Sequence, residues 1–155
     1  NYGNLCQRVI AFAEKNCSSL IPKHKFNGED LKILNSITKS NEIRLMIDNQ
    51  DINKYMLFIV DRLFASNKYF NDQEPWKKKN DNLRISTIVY TAIELIRKIT
   101  ILLYPVIPQT SAKVLKAFNI EENQIDFSSI DDNNILKEQN RIKKLDILFK
   151  KIKND

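Results

Sequence analysis

The sequence predicts an all-α protein: a helical bundle of about five helices, followed by a linker and a short terminal helix. Two observations carry this. Apolar residues recur at three- and four-residue intervals along nearly the whole chain, and no stretch of useful length alternates with the period of two that a strand requires. A third narrows it, because no internal repeat of roughly 20–50 residues is visible and a solenoid is therefore excluded.

In the first segment Leu5, Val9 and Phe12 share one face, and the pattern runs to about Asn16 before Ile21-Pro22 stops it. Leu31, Leu34 and Ile37, then Ile43, Met46 and Ile47, continue a second pattern from about Glu29 to Asn49, with an irregularity near Ser40-Asn41. Asp51 is placed to cap a third helix whose buried stripe is Ile52, Met56, Ile59, Leu63 and Phe70. Pro75 ends that helix, since the residue before a proline is driven out of helical geometry. The fourth helix, from Asp81 or Asn82 to Tyr104, has the broadest apolar face (Ile85, Ile88, Ala92, Ile96, Ile99 and Leu103, widened by Val89, Leu95 and Leu102) and is expected at the centre. Pro105 stops it, and Pro108 suits the first turn of a fifth helix reaching about Phe118. Residues 121–133 are polar and aperiodic, and an amphipathic stretch from Ile135 to about Ile147 is expected to form the last helix. The chain thus divides into a bundle at 1–120 and a linker with terminal helix at 121–155, packed on the bundle or on a further domain.

With 43% apolar and 28% charged residues, the 155-residue chain can bury a core without disulfides or metals. Cys6 and Cys17 would stand about 16 Å apart along a helix, too far to pair. No apolar run approaches the roughly 20 residues of a membrane span and no signal peptide is present, so a cytoplasmic location without membrane contact is expected. The net charge of +6 is concentrated in residues 1–120, which carry 18 basic and 11 acidic side chains, whereas residues 121–155 carry 7 and 8. That excess favours a polyanionic partner.

Catalytic chemistry is absent from the sequence. Two glycines cannot build a phosphate-cradling loop, and a lone His24 in the polar loop IPKHKF reads as a solvated side chain. One histidine and two distant cysteines make neither a zinc site nor a nucleophilic triad, so no metal is expected. Glu121-Glu122 and Asp131-Asp132 read as solvated linker carboxylates.

Against that background one residue needs a cause. Trp76, the only tryptophan, lies outside any apolar run in QEPWKKKNDN, between Pro75 and the basic trio Lys77, Lys78 and Lys79. An indole capping the bundle is one reading. The other joins it to Asn4 and Arg8, which share a helix face rotated about 100° from the Leu5–Val9–Phe12 stripe. An amide that donates and accepts, a planar guanidinium and an aromatic platform are what recognition of unpaired RNA bases uses, while lysines attract the backbone.

The segments SNKYFNDQEPWKKKN and ILLYPVIPQTSAKVLKAFNI resemble the anticodon-binding bundle of class I aminoacyl-tRNA synthetases, the second being common to the valyl, leucyl, isoleucyl and methionyl enzymes. Pro75-Trp76 with YGNLCQRVIAF is similar to the methionyl family, as is the closing LDILFKKIK, with Lys150 and Lys151 where that family usually has proline and arginine. The resemblance is strong over 1–13 and 67–118. It implies that Asn4, Arg8 and Trp76 read the CAU anticodon of a methionine tRNA, with Trp76 meeting the first base. It implies, too, that ATP and Mg act only in a catalytic domain bearing the signature motifs absent here, which would be this chain's other partner. The chain, beginning without methionine, would then be the C-terminal part of a longer enzyme, inactive by itself. The alternatives are the equivalent domain of another class I synthetase, or a basic helical module that meets an acidic protein.

Overall fold

The computed structural model describes residues 1–149. Six α-helices form the bundle: α1 (Tyr2–Asn16), α2 (Gly28–Asn35), α3 (Ser40–Asp48), α4 (Ile52–Gln73), α5 (Asn82–Leu103) and α6 (Pro108–Ala117). No strand occurs among the described residues; there is one isolated antiparallel bridge, between Leu20 and Arg141. None of the described helices is long and apolar enough to cross a membrane.

The expected centrality of the helix from Asp81 is what the fold shows. Every residue of α5 from Thr87 to Leu103 is buried, and α1, α2, α4 and α6 all pack against it. An apolar face this wide demands neighbours on all sides. Its threonines remain compatible with that burial because the hydroxyls of Thr91 and Thr100 bond carbonyls one turn back, those of Thr87 and Ile96. Asp81 starts the helix by accepting from the Arg84 amide at 2.9 Å.

The second helical pattern is two helices, and the break falls at Ser36–Lys39 rather than at Ser40-Asn41. Local hydroxyls compete there with the ladder: Ser36 Oγ donates to the Ile33 carbonyl and Thr38 Oγ1 to that of Leu34. Ile37 is driven fully inside between them. α3 then has its N-terminus capped from far away, Asp131 accepting from the amide and hydroxyl of Ser40. That carboxylate is therefore not merely solvated linker. Asp51 stands at the N-cap of α4 as expected, yet its side chain caps no amide and binds Lys54 Nζ at 2.8 Å instead.

The expected terminal helix at Ile135–Ile147 does not form. The segment runs extended over the bundle, fixed by backbone bonds from Gln139 N to Ile21 O (2.8 Å), Ile21 N to Asn140 O (2.8 Å), Ile142 N to Ser19 O (2.7 Å) and Lys143 N to Ala117 O (2.9 Å). Gln139 sits at φ 67°, which no helix interior accommodates. Leu136 and Ile142 are its buried anchors, and Tyr90 Oη donates to the Leu136 carbonyl at 3.0 Å. Residues 121–131 wind through two 3-10 turns (Glu122–Gln124 and Phe127–Asp131), with Ile130 wholly buried beneath the second. The departure at Lys150 and Lys151 lies outside the described residues.

The extended segment is a strap over the bundle, and beneath the residues just before it, 129–133, α5 holds charge in the interior. Arg97 forks onto Glu94, Nη2 to Oε1 at 2.6 Å and Nε to both oxygens at 3.0 Å, and reaches the carbonyls of Ser129 (3.0 Å) and Asp132 (2.9 Å). Lys98 Nζ donates to Thr38 Oγ1 at 3.2 Å and to Asn133 Oδ1. Burial pushes the Lys98 ammonium down to about 8, the nearby Glu94 charge offsetting part of that.

Candidate nucleic-acid interface

Trp76 is carried on a short loop between α4 and α5 whose two ends are bolted together. Glu74 leaves α4 in the left-handed region at φ 42°, so Pro75 and Trp76 turn back in a 3-10 turn (Pro75–Lys77) instead of continuing outward. At the base of the loop Gln73 Oε1 accepts from Arg84 Nη2 at 2.6 Å. Arg84 also grips the buried Asp30 with two bonds, at 2.6 and 2.9 Å, while Tyr69 Oη and the Asn27 amide complete that carboxylate's partners. Burial alone would raise the Asp30 carboxyl, but the Arg84 hydrogen bonds, the Asn27 amide and the Tyr69 hydroxyl outweigh it and hold it below the usual range. The anchor is therefore charged and rigid at neutral pH.

The indole that this loop presents is 44% exposed. Its supported side meets the buried ring of Phe70 edge-on, with centroids 6.0 Å apart at 70°. Arg8 reaches the same ring, its guanidinium carbon 5.7 Å from the Phe70 centroid, while Nη2 donates to Asn71 Oδ1 at 2.7 Å. Phe12 closes the cluster from α1, 5.9 Å from Phe70. Two residues 68 positions apart in sequence, Arg8 and Trp76, are thus joined through Phe70 on one rim. Asn4 is exposed one turn before Arg8 on α1, about 6 Å along the axis. It borders a small cleft closed by Ile147, Leu148 and Phe149.

The three lysines are less uniform than their sequence suggests. Lys77 Nζ is paired with Glu74 at 2.7 Å, Lys78 is half-buried, and only Lys79 is both exposed and outside any ion pair with the described residues.

Phe70 and Arg84 also belong to the site, Phe70 by backing the indole and Arg84 by holding the base of its loop through Gln73. Phe70 reads in sequence as an ordinary core position, and the Arg84–Asp30 pair joins residues too distant for any local pattern. His24 is the other correction: it is not a solvated loop side chain. Its ring stacks on Tyr90 at 3.6 Å and 15°, with Nε2 3.2 Å from Asn134 Oδ1 and Nδ1 3.0 Å from Glu138 Oε1. It helps fasten the strap rather than any site.

Comparison with known proteins identifies the family and the fold. Residues 23–155 match the family model described as the anticodon binding domain of methionyl tRNA ligase. Among curated relatives, the methionine–tRNA ligase of Mesorhizobium japonicum is 32% identical over 128 residues, covering 81% of this chain and 25% of that protein. The Rickettsia typhi enzyme is 29% identical over 156 residues, covering 97% and 31%. Two solved structures of Mycobacterium tuberculosis methionyl-tRNA synthetase superpose closely. The apo form gives a TM-score of 0.87 at 25% identity, over 98% of this chain and 32% of that one. The complex with methionyl-adenylate gives 0.86 at 26%, over 96% and 30%. The chain therefore spans about a quarter to a third of the length of these relatives. On the family match and these relatives together, the chain belongs to the anticodon-binding domains of methionyl-tRNA ligases.

Proposed function

We propose that this chain reads the CAU anticodon of a methionine tRNA as the recognition part of a methionine–tRNA ligase. The observation that carries this is the half-open indole of Trp76, backed by Phe70, with Arg8 across the same ring. One anticodon base leaves the loop stack and lies on the free face of Trp76. Arg8 keeps Asn71 with one nitrogen and has further N–H donors for a base edge or phosphate; Asn4 offers an amide that both donates and accepts. Lys79, with Lys77 and Lys78 beside it, attracts the backbone. Residues 1–120 carry the recognition, while residues 121–149 fasten the bundle.

On this reading the aminoacylation chemistry, with its ATP and Mg, belongs to a catalytic domain outside this chain, and the protein works in the cytoplasm. The residues here contribute affinity and discrimination only. A titration of this chain with a hairpin carrying CAU, against hairpins changed at single anticodon bases, tests the proposal. CAU binds tightest, and Arg8→Ala narrows the gap between cognate and altered loops. Equal affinity for all the hairpins would overturn it.

A further inference from the structure

A second basic surface stands apart from the loop lysines. Lys113 and Lys116 lie three residues apart on α6, and Lys143 and Lys144 lie on the strap, the four lining one cleft of about 280 Å³. The bond from Lys143 N to Ala117 O holds the strap against the end of α6, so the two pairs are fixed across from one another. All four are exposed. None enters an ion pair among the described residues, in contrast to Lys77 with Glu74 and Lys68 with Asp72. Asp146 is the one acidic residue that lines the cleft.

The cleft adjoins the small cleft at Asn4. Ile147 and Leu148 line it on one side and, on the other, line the small cleft that contains Asn4. The surface thus leads from Asn4, one turn from Arg8 on α1, over Ile147 and Leu148 to four lysines outside any ion pair among the described residues. We propose that this cleft binds the phosphodiester backbone of the paired anticodon stem, in the same RNA whose loop meets the rim. This rests on the reading of the rim as an anticodon site. A stem carries closely spaced phosphates on both strands, and lysines serve as point charges for them without reading sequence. The surface would then set the orientation of the RNA rather than its identity.

The test uses the whole 155-residue chain and two probes, a hairpin with CAU in its loop and an unpaired oligonucleotide of the loop sequence alone. The variant replaces all four lysines by glutamine, and circular dichroism checks its helix content. Each phosphate contact contributes about 0.7–0.9 to the slope of log affinity against log salt, so the hairpin's slope should fall by about 3 in the variant while the unpaired probe changes little. An unchanged hairpin slope overturns the inference, as does equal weakening of both probes, which would mean general attraction and no stem site. Trp76→Ala separates this from the rim. If it leaves both probes unaffected while the lysine variant still loses slope, the rim reading fails and the cleft is an RNA site of its own; if it weakens both while the lysine variant matches the wild type, only the cleft fails.

Discussion

The interior of α5 and the rim around Trp76 use similar groups to opposite ends. Under residues 129–133, Arg97 spends its donors on Glu94 and on two backbone carbonyls, and Lys98 is held by Thr38 and Asn133. At the rim Arg8 has one hydrogen-bonded partner among the described residues, and the indole has one supported side. The difference teaches where function can reside in a bundle of this size. Groups whose bonds are all made within the fold hold the architecture, whereas groups positioned by the fold but left incomplete are available to a ligand.

That contrast can be broken first where the stability effect should be largest. Arg97→Ala leaves the buried Glu94 carboxyl without its guanidinium partner and frees the carbonyls of Ser129 and Asp132, so unfolding free energy should drop by about 3–5 kcal/mol. Urea denaturation measures it; a loss below about 1 kcal/mol would mean that the cluster is not fully desolvated. A smaller effect comes from Lys98, and its sign depends on pH. Burial lowers this ammonium to about 8 from the 10.5 of a free lysine, so between these values the folded chain has lost a proton that the unfolded chain keeps. The group therefore costs most below pH 8, and the cost is relieved as pH rises. Relative to Lys98→Met, the wild type should gain on the order of 2 kcal/mol between pH 7.5 and 10. A difference that is flat over this range would place the ammonium in contact with water.

The same contrast explains what could be read from the sequence. The helices were legible because apolar spacing repeats every three to four residues, and α5 stood out because its apolar face is too wide for one neighbour. Trp76 was legible as a surface residue because proline and lysines flank it. The strap was not, since Ile135 and Ile142 mimic a helical interval while the bonds that extend the segment come from Ser19, Ile21 and Ala117. The break at Ser36–Lys39 is hidden for a similar reason: Ser40-Asn41 is polar enough to suggest an interruption, but Asp131 caps Ser40 from 91 residues away. Glu94, Arg97 and Lys98 offered a faint signal, three charges within one turn of an otherwise apolar helix. The carbonyls, side-chain amide and hydroxyl that hold Arg97 and Lys98 lie 32–60 residues away in the chain.

The smallest change in stability should accompany the largest change in recognition, and this bears most directly on the central claim. Trp76→Ala removes a ring that is 44% exposed and rests on Phe70 with its other side, so unfolding free energy should shift by only about 1–2 kcal/mol. A base stacked on an aromatic is worth roughly 1–3 kcal/mol, so affinity for the CAU hairpin should fall by about one to two orders of magnitude. Because Trp76 is the only tryptophan, its fluorescence in the wild type reports the stacking itself. Quenching that saturates with CAU hairpin, together with the affinity loss in a folded Trp76→Ala chain, is the predicted result; unchanged fluorescence and unchanged affinity would contradict it.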